Sequence, residues 1–95
     1  MKYLYFSAGW CGPCRVLGPK MQRLAERIPV QKVDVDQDPE LSRQYGVRSI
    51  PTVILIGSEG EVLDRLVGVK SEEEYLKTWG EKGGIINSGD PELNK

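Results

Sequence analysis

Cys11 and Cys14 enclose Gly12-Pro13 at the junction between an apolar hexapeptide and a run with helical periodicity. No other feature constrains the fold as strongly. Residues 2–7, Lys-Tyr-Leu-Tyr-Phe-Ser, are short, aromatic and apolar, which suits a buried strand. After the cysteines, Leu17, Met21, Leu24, Ala25 and Ile28 recur at helical spacing and define one apolar face. Pro13 suits the first helical turn, where a missing N–H costs nothing. Pro19 lies inside the pattern and is expected to kink the helix, and Pro29 is expected to stop it.

Cys11 therefore falls at a helix N-terminus, where unpaired N–H groups and the helix dipole stabilise an anion. Such a field lowers a thiol pKa from about 8.5 towards roughly 3.5–7.5. Cys14 follows at i+3 on the same face, a spacing compatible with the roughly 4.4–6.8 Å Cα separation of a disulfide. The pair thus has the layout of an attacking thiol, Cys11, and a resolving thiol, Cys14. Two structural thiols, or half of a zinc site shared between two chains, are the bland alternatives.

The rest of the chain reads as a small α/β unit. Val30 to Val35 alternates as a second strand. Asp38 caps a short helix that Gly46 closes, and Thr52 to Ile56 is an almost wholly apolar third strand. Gly57-Ser58-Glu59-Gly60 is a turn, and Glu61 to Val67 a fourth strand antiparallel to the third. Ser71 and Glu74 form a capping box for a last helix that carries Tyr75, Leu76 and Trp79 inward and frays near Gly83-Gly84. The order β-α-β-α-β-β-α predicts a four-stranded mixed sheet, strand order 2-1-3-4, flanked by three helices. Residues 1–83 form one domain, and 84–95, rich in Gly, Asn, Asp and Pro, are expected to be a flexible C-terminal tail.

Composition removes several function classes. The 95 residues contain no histidine, which excludes Ser-His-Asp and Cys-His sites and histidine metal ligands. Two cysteines in one chain cannot supply a four-thiolate metal site. Thirteen basic against fourteen acidic residues argue against a nucleic-acid grip. The first apolar run ends at Ser7, too short for a signal peptide or a membrane span, so the expected compartment is the cytoplasm. Asp34, Asp36 and Asp38 alternate like the start of a calcium loop, but Pro39 stands where that loop needs glycine. No metal is expected.

Trp10-Cys11-Gly12-Pro13-Cys14 resembles the active site of the thioredoxin family. Pro19, Asp34-Val35-Asp36-Gln37-Asp38-Pro39, Tyr45-Gly46-Val47-Arg48-Ser49-Ile50-Pro51-Thr52, Gly60-Glu61 and Val67-Gly68 continue the resemblance in order, to about residue 82. It implies a protein disulfide reductase with no cofactor beyond the Cys11–Cys14 disulfide. It also implies a monomer acting on protein disulfides and re-reduced by a thioredoxin reductase. The Ile50–Pro51 bond is then expected to be cis and to face the disulfide. Trp10, Ser49, Ile50, Pro51, Val67 and Gly68 would form a shallow substrate groove. A glutathione-linked glutaredoxin-like enzyme and a thioredoxin-fold binding subunit of a partner enzyme are the rival readings.

Three positions depart from the family pattern. The chain begins at the central strand, so the usual N-terminal strand and helix are expected to be missing. Tyr5 stands where the family places a buried aspartate that assists the resolving cysteine, although Lys32 retains that aspartate's usual partner. Ser7 replaces a common second tryptophan. No base for Cys14 is thereby assigned, and water or the outgoing thiolate is the expected proton acceptor.

Overall fold

The computed structural model describes residues 1–86. Strands β1 (Lys2–Ser7), β2 (Val30–Asp34), β3 (Thr52–Ile56) and β4 (Val62–Val67) and helices α1 (Gly12–Ala25), α2 (Pro39–Gln44) and α3 (Glu72–Glu81) follow one another in the order β1-α1-β2-α2-β3-β4-α3. The strands form one sheet in the order β2-β1-β3-β4, the order the sequence predicts. β1 and β2 are parallel, whereas β3 runs antiparallel to both β1 and β4. All five residues of β3 are buried, as their unbroken apolar run requires of a central strand.

The strand period of two divides the core between the two faces of the sheet. Tyr3 and Tyr5 point to one face, where they meet Leu17, Met21 and Leu24 of α1 and Tyr75 and Trp79 of α3. Leu4 and Phe6 point to the other, packing with Val33, Ile54 and Tyr45 beneath α2. Tyr3 and Tyr75 meet edge to face at 5.9 Å, and the Tyr3 hydroxyl donates to the Tyr75 carbonyl at 2.7 Å. An apolar ring and a satisfied polar tip thus tie the central strand to α3.

Each helix ends by an identifiable device. α1 runs unbroken through Pro19 but closes at Ala25, short of the last periodic residue. Ile28 is still buried, held by its N–H on the Leu24 carbonyl in the turn that precedes Pro29. The residue before a proline is biased away from helical backbone, which explains why the apolar period outlasts the helix. α2 ends with Gly46 at φ 64°, its N–H on Arg43 and the Val47 N–H on Ser42. α3 ends the same way rather than fraying. Gly83 is at φ 90° and donates to Gly80, and Gly84 donates to Trp79. This paired closure satisfies carbonyls that a helix end otherwise leaves orphaned.

Within the segment read as a tail, 84–86 are placed. The Trp79 indole donates to the Ile85 carbonyl at 3.1 Å, and half-buried Ile86 packs on the core. Residues 87–95 lie outside the described part of the chain. No helix among the described residues is long and apolar enough to cross a membrane.

Candidate active site

β1 delivers the chain to the edge of the sheet at Ser7, and Ala8 to Trp10 turn it into α1. Cys11 is the N-cap of α1, with extended backbone at φ −87° and ψ 114°. The Cys14 N–H points at Cys11 Sγ, 3.2 Å away, in the place where a serine or aspartate oxygen usually caps a helix. The two cysteines are joined in a disulfide with their Cα atoms 5.3 Å apart. Pro13 sits in the first helical turn, where it removes no hydrogen bond. Gly12 and Pro13 are exposed, whereas Cys11 and Cys14 are only 4% and 5% accessible. The reactive pair therefore lies just beneath the surface.

The Ile50–Pro51 peptide is cis. The Ile50 carbonyl oxygen lies 3.8 Å from Cys11 Sγ, so the loop before β3 abuts the disulfide. The Gly68 N–H donates to the Pro51 carbonyl at 2.9 Å, which brings the end of β4 against the same loop. Gly68 has φ 88°, a left-handed conformation that favours glycine. The Thr52 hydroxyl donates to the Ser49 carbonyl at 2.6 Å and fixes the turn ahead of the proline.

Trp10 is 68% exposed, and its indole N–H donates to Asp36 Oδ2 at 2.8 Å. Its ring borders a groove of about 320 Å³ shared with Val35, Val47, Arg48, Ser49 and Ile50. Val67, half exposed, and Gly68 do not line this groove; they adjoin Pro51 from the β4 side. Asp36, Val35, Val47 and Arg48 were not singled out as site residues from the sequence. For Val35 and Asp36 the signal was the parallel pairing of β1 and β2, which brings the carboxyl ends of both strands to one edge; Val47 and Arg48 lie on the loop between α2 and β3 that carries the cis-proline.

Tyr5 is buried beneath α1, and its hydroxyl donates to the Cys14 carbonyl at 3.1 Å. That hydrogen bond ties the phenol to the active-site helix. Burial pushes the phenol above its usual range, and nearby Ser7 only partly offsets this. A phenol so shifted is protonated at neutral pH and holds no base there. Lys32 is the register partner of Tyr5 and lines the cavity beside it, with its side chain at the exposed side. Among the described residues no group of three or more His, Cys, Asp or Glu could hold a metal ion.

A strand-to-helix junction that carries a paired dithiol, beside a cis-proline loop and an apolar groove, defines a thiol–disulfide exchange protein of α/β fold. The thioredoxin family model matches residues 2–81. The chain belongs to the thioredoxin family. It is 43% identical over 75 residues to thioredoxin of Chlamydia trachomatis, covering 76% of this chain and 72% of that one. It is 38% identical over 73 residues to mitochondrial thioredoxin of Mus musculus, covering 73% of this chain and 43% of that one. A solved mutant thioredoxin from Halobacterium salinarum NRC-1 superposes with a TM-score of 0.80 at 34% identity, covering 90% of this chain and 76% of the other.

Proposed function

We propose that this protein reduces disulfides in other proteins, with Cys11 as the attacking thiol and Cys14 as the resolving thiol. The observation that carries the reading is the capping geometry: the Cys14 N–H and the start of α1 face Cys11 Sγ. A thiolate at Cys11 gains that hydrogen bond and the helix dipole, which favour ionisation near neutral pH. Cys11 attacks a substrate sulfur, and the other substrate sulfur leaves as a thiolate. Cys14 then attacks Cys11 Sγ, the mixed disulfide breaks, and the second substrate sulfur departs reduced. The protein retains the Cys11–Cys14 disulfide, two electrons poorer.

The substrate chain lies across Trp10, Ser49, Ile50 and Pro51 and reaches Val67 and Gly68. Backbone next to the cis-proline pairs with it as an added strand would, so little sequence is read. The protein works as a cytoplasmic monomer, takes electrons from a thioredoxin reductase, and needs no cofactor beyond its own disulfide.

The test is reduction of insulin disulfides with NADPH and thioredoxin reductase, run beside a glutathione-coupled arm. Turnover is expected only with the reductase; turnover only with glutathione would support the glutaredoxin-like alternative. Cys14→Ser should accumulate a mixed disulfide through Cys11. Faster alkylation of Cys14 than of Cys11 at neutral pH would reverse the assignment.

A further inference from the structure

Parallel pairing sets Ser7 beside Asp34 and Tyr5 beside Lys32, so four side chains share the face of the sheet beneath α1. They enclose, with Cys14 and Arg15, a cavity of about 250 Å³ directly behind the resolving cysteine. Ser7 is 3% accessible, and its hydroxyl lies beside that of Tyr5 but makes no well-aligned hydrogen bond among the described residues. A buried hydroxyl facing a polar cavity of this size is ordinarily satisfied by water. Each other polar group on the cavity has a different disposition. The Tyr5 proton is committed to the Cys14 carbonyl, Arg15 Nη2 reaches the Gly9 carbonyl at 3.5 Å, and Lys32 is exposed and cationic. Asp34 alone offers a carboxylate. Its Oδ1 accepts the N–H groups of Asp36 at 2.9 Å and Gln37 at 3.4 Å, which anchor the side chain at the end of β2.

We propose that Ser7 positions a water against Cys14 and that Asp34 takes the Cys14 proton through it. The step belongs to the dithiol exchange described above and rests on that reading. With substrate bound to Cys11, Cys14 is a thiol and must lose its proton to attack. The proton passes to the water, and a proton of that water passes to the Asp34 carboxylate. Cys14 Sγ then bonds to Cys11 Sγ, the Cys11–substrate bond breaks, and its electron pair leaves with the substrate sulfur. Asp34 returns the proton to solvent or to the departing thiolate. Ser7 and Asp34 are thus positioning and relay residues, acting through the water rather than on sulfur directly. The pair occupies the role that Tyr5, as a neutral phenol, cannot fill.

The two chemical steps separate with 5,5′-dithiobis(2-nitrobenzoate), mixed at equimolar ratio with the reduced full-length protein. The first coloured thiolate reports attack by Cys11 and the second reports resolution by Cys14. Ser7→Ala and Asp34→Asn should slow the second phase by about tenfold or more and leave the first unchanged. That is below the roughly 10²–10⁴-fold contribution of a positioned proton acceptor because bulk water substitutes in part. Ser7→Thr, which keeps the hydroxyl, should stay near the wild-type rate. Added formate, at constant ionic strength, should speed the second phase of Asp34→Asn but not of wild type. Asparagine retains the acceptor oxygen that anchors the β2 end, so this variant tests the charge rather than the loop. A second phase within twofold of wild type in both variants, equal slowing of both phases, or no formate rescue overturns the relay. Absence of the first phase in wild type overturns the exchange reading and the relay with it.

Discussion

Tyr5 shows how one side chain can substitute for another in volume but not in chemistry. Its ring fills the space between the sheet and α1, and its hydroxyl holds the backbone of Cys14. Replacing it with aspartate removes the ring and places a carboxyl in a desolvated site. Loss of a buried aromatic costs about 3 kcal/mol or more. Desolvation raises the folded pKa of the new carboxyl above its unfolded value of about 3.9. A raised folded value means that stability is fully present below pH ~4 and is lost as the pH rises through the folded pKa. Urea midpoints for Tyr5→Asp should therefore fall further below wild type at pH 7 than at pH 4. A constant difference between the two pH values would show that the carboxyl has found a partner, with Lys32 the nearest cation by register.

At the scale of elements, helix ends do more than helix interiors to define the fold. α3 begins at Ser71, whose hydroxyl accepts the Glu74 N–H at 3.1 Å, and Glu72, Glu73 and Glu74 crowd its first turn. All three carboxylates sit at the positive end of the helix dipole. α3 carries Tyr75, Thr78 and Trp79 into the core, so its cap is coupled to the packing of the central strand. Ser71→Ala should lower unfolding free energy by about 1 kcal/mol in urea, and Ser71→Asp should restore most of it. Insulin reduction should be unaffected in both, because Ser71 lies outside the groove and the dithiol. A loss well above about 2 kcal/mol would mean that Ser71 supports packing as well as the cap. α1 shows the same economy differently, since its N-cap is Cys11 itself. The residue that starts the helix is the one proposed to react.

Across the whole molecule, a column of tyrosines joins the sheet to α3. Tyr3 donates to the Tyr75 carbonyl, and the Tyr75 hydroxyl accepts the Lys70 N–H at 3.3 Å. Burial pushes the Tyr3 phenol far above its ordinary range, reinforced by the charges of Asp64 and Tyr75, with Thr78 offsetting a little. Burial likewise raises Tyr75, against a smaller lowering by the Lys70 N–H. Unfolded tyrosine ionises near pH 10. Stability from these groups is therefore fully present below about pH 10 and declines as the pH rises towards the folded values. Tyr3→Phe should be about 1 kcal/mol less stable than wild type at pH 8, from the lost hydrogen bond. It should show a shallower decline between pH 8 and pH 11. Urea titrations at the two pH values check this, and parallel declines would show that other groups govern the alkaline limit.

The order of elements, the strand order and the dithiol junction were legible in the chain itself. They depend on local signals: periods of 2 and 3.6, caps at Asp38 and Ser71, prolines at 13 and 29, and glycines at 46 and 60. The end of α1 was less legible, because burial of Ile28 extends the apolar period past the last helical residue. Contacts that cross the sheet were not legible, since they depend on register and on where loops meet. Trp10 finds Asp36 across 26 residues, and Tyr5 finds the Cys14 backbone through the height of α1 above the sheet. Ser7 and Asp34 become neighbours only once β1 and β2 pair in parallel, and a one-residue slip would turn one of them to the opposite face. The sequence by itself thus determined which cysteines pair and what fold carries them. Tertiary structure alone decided what surrounds Cys14, because a cavity is a property of packed elements and not of any one of them.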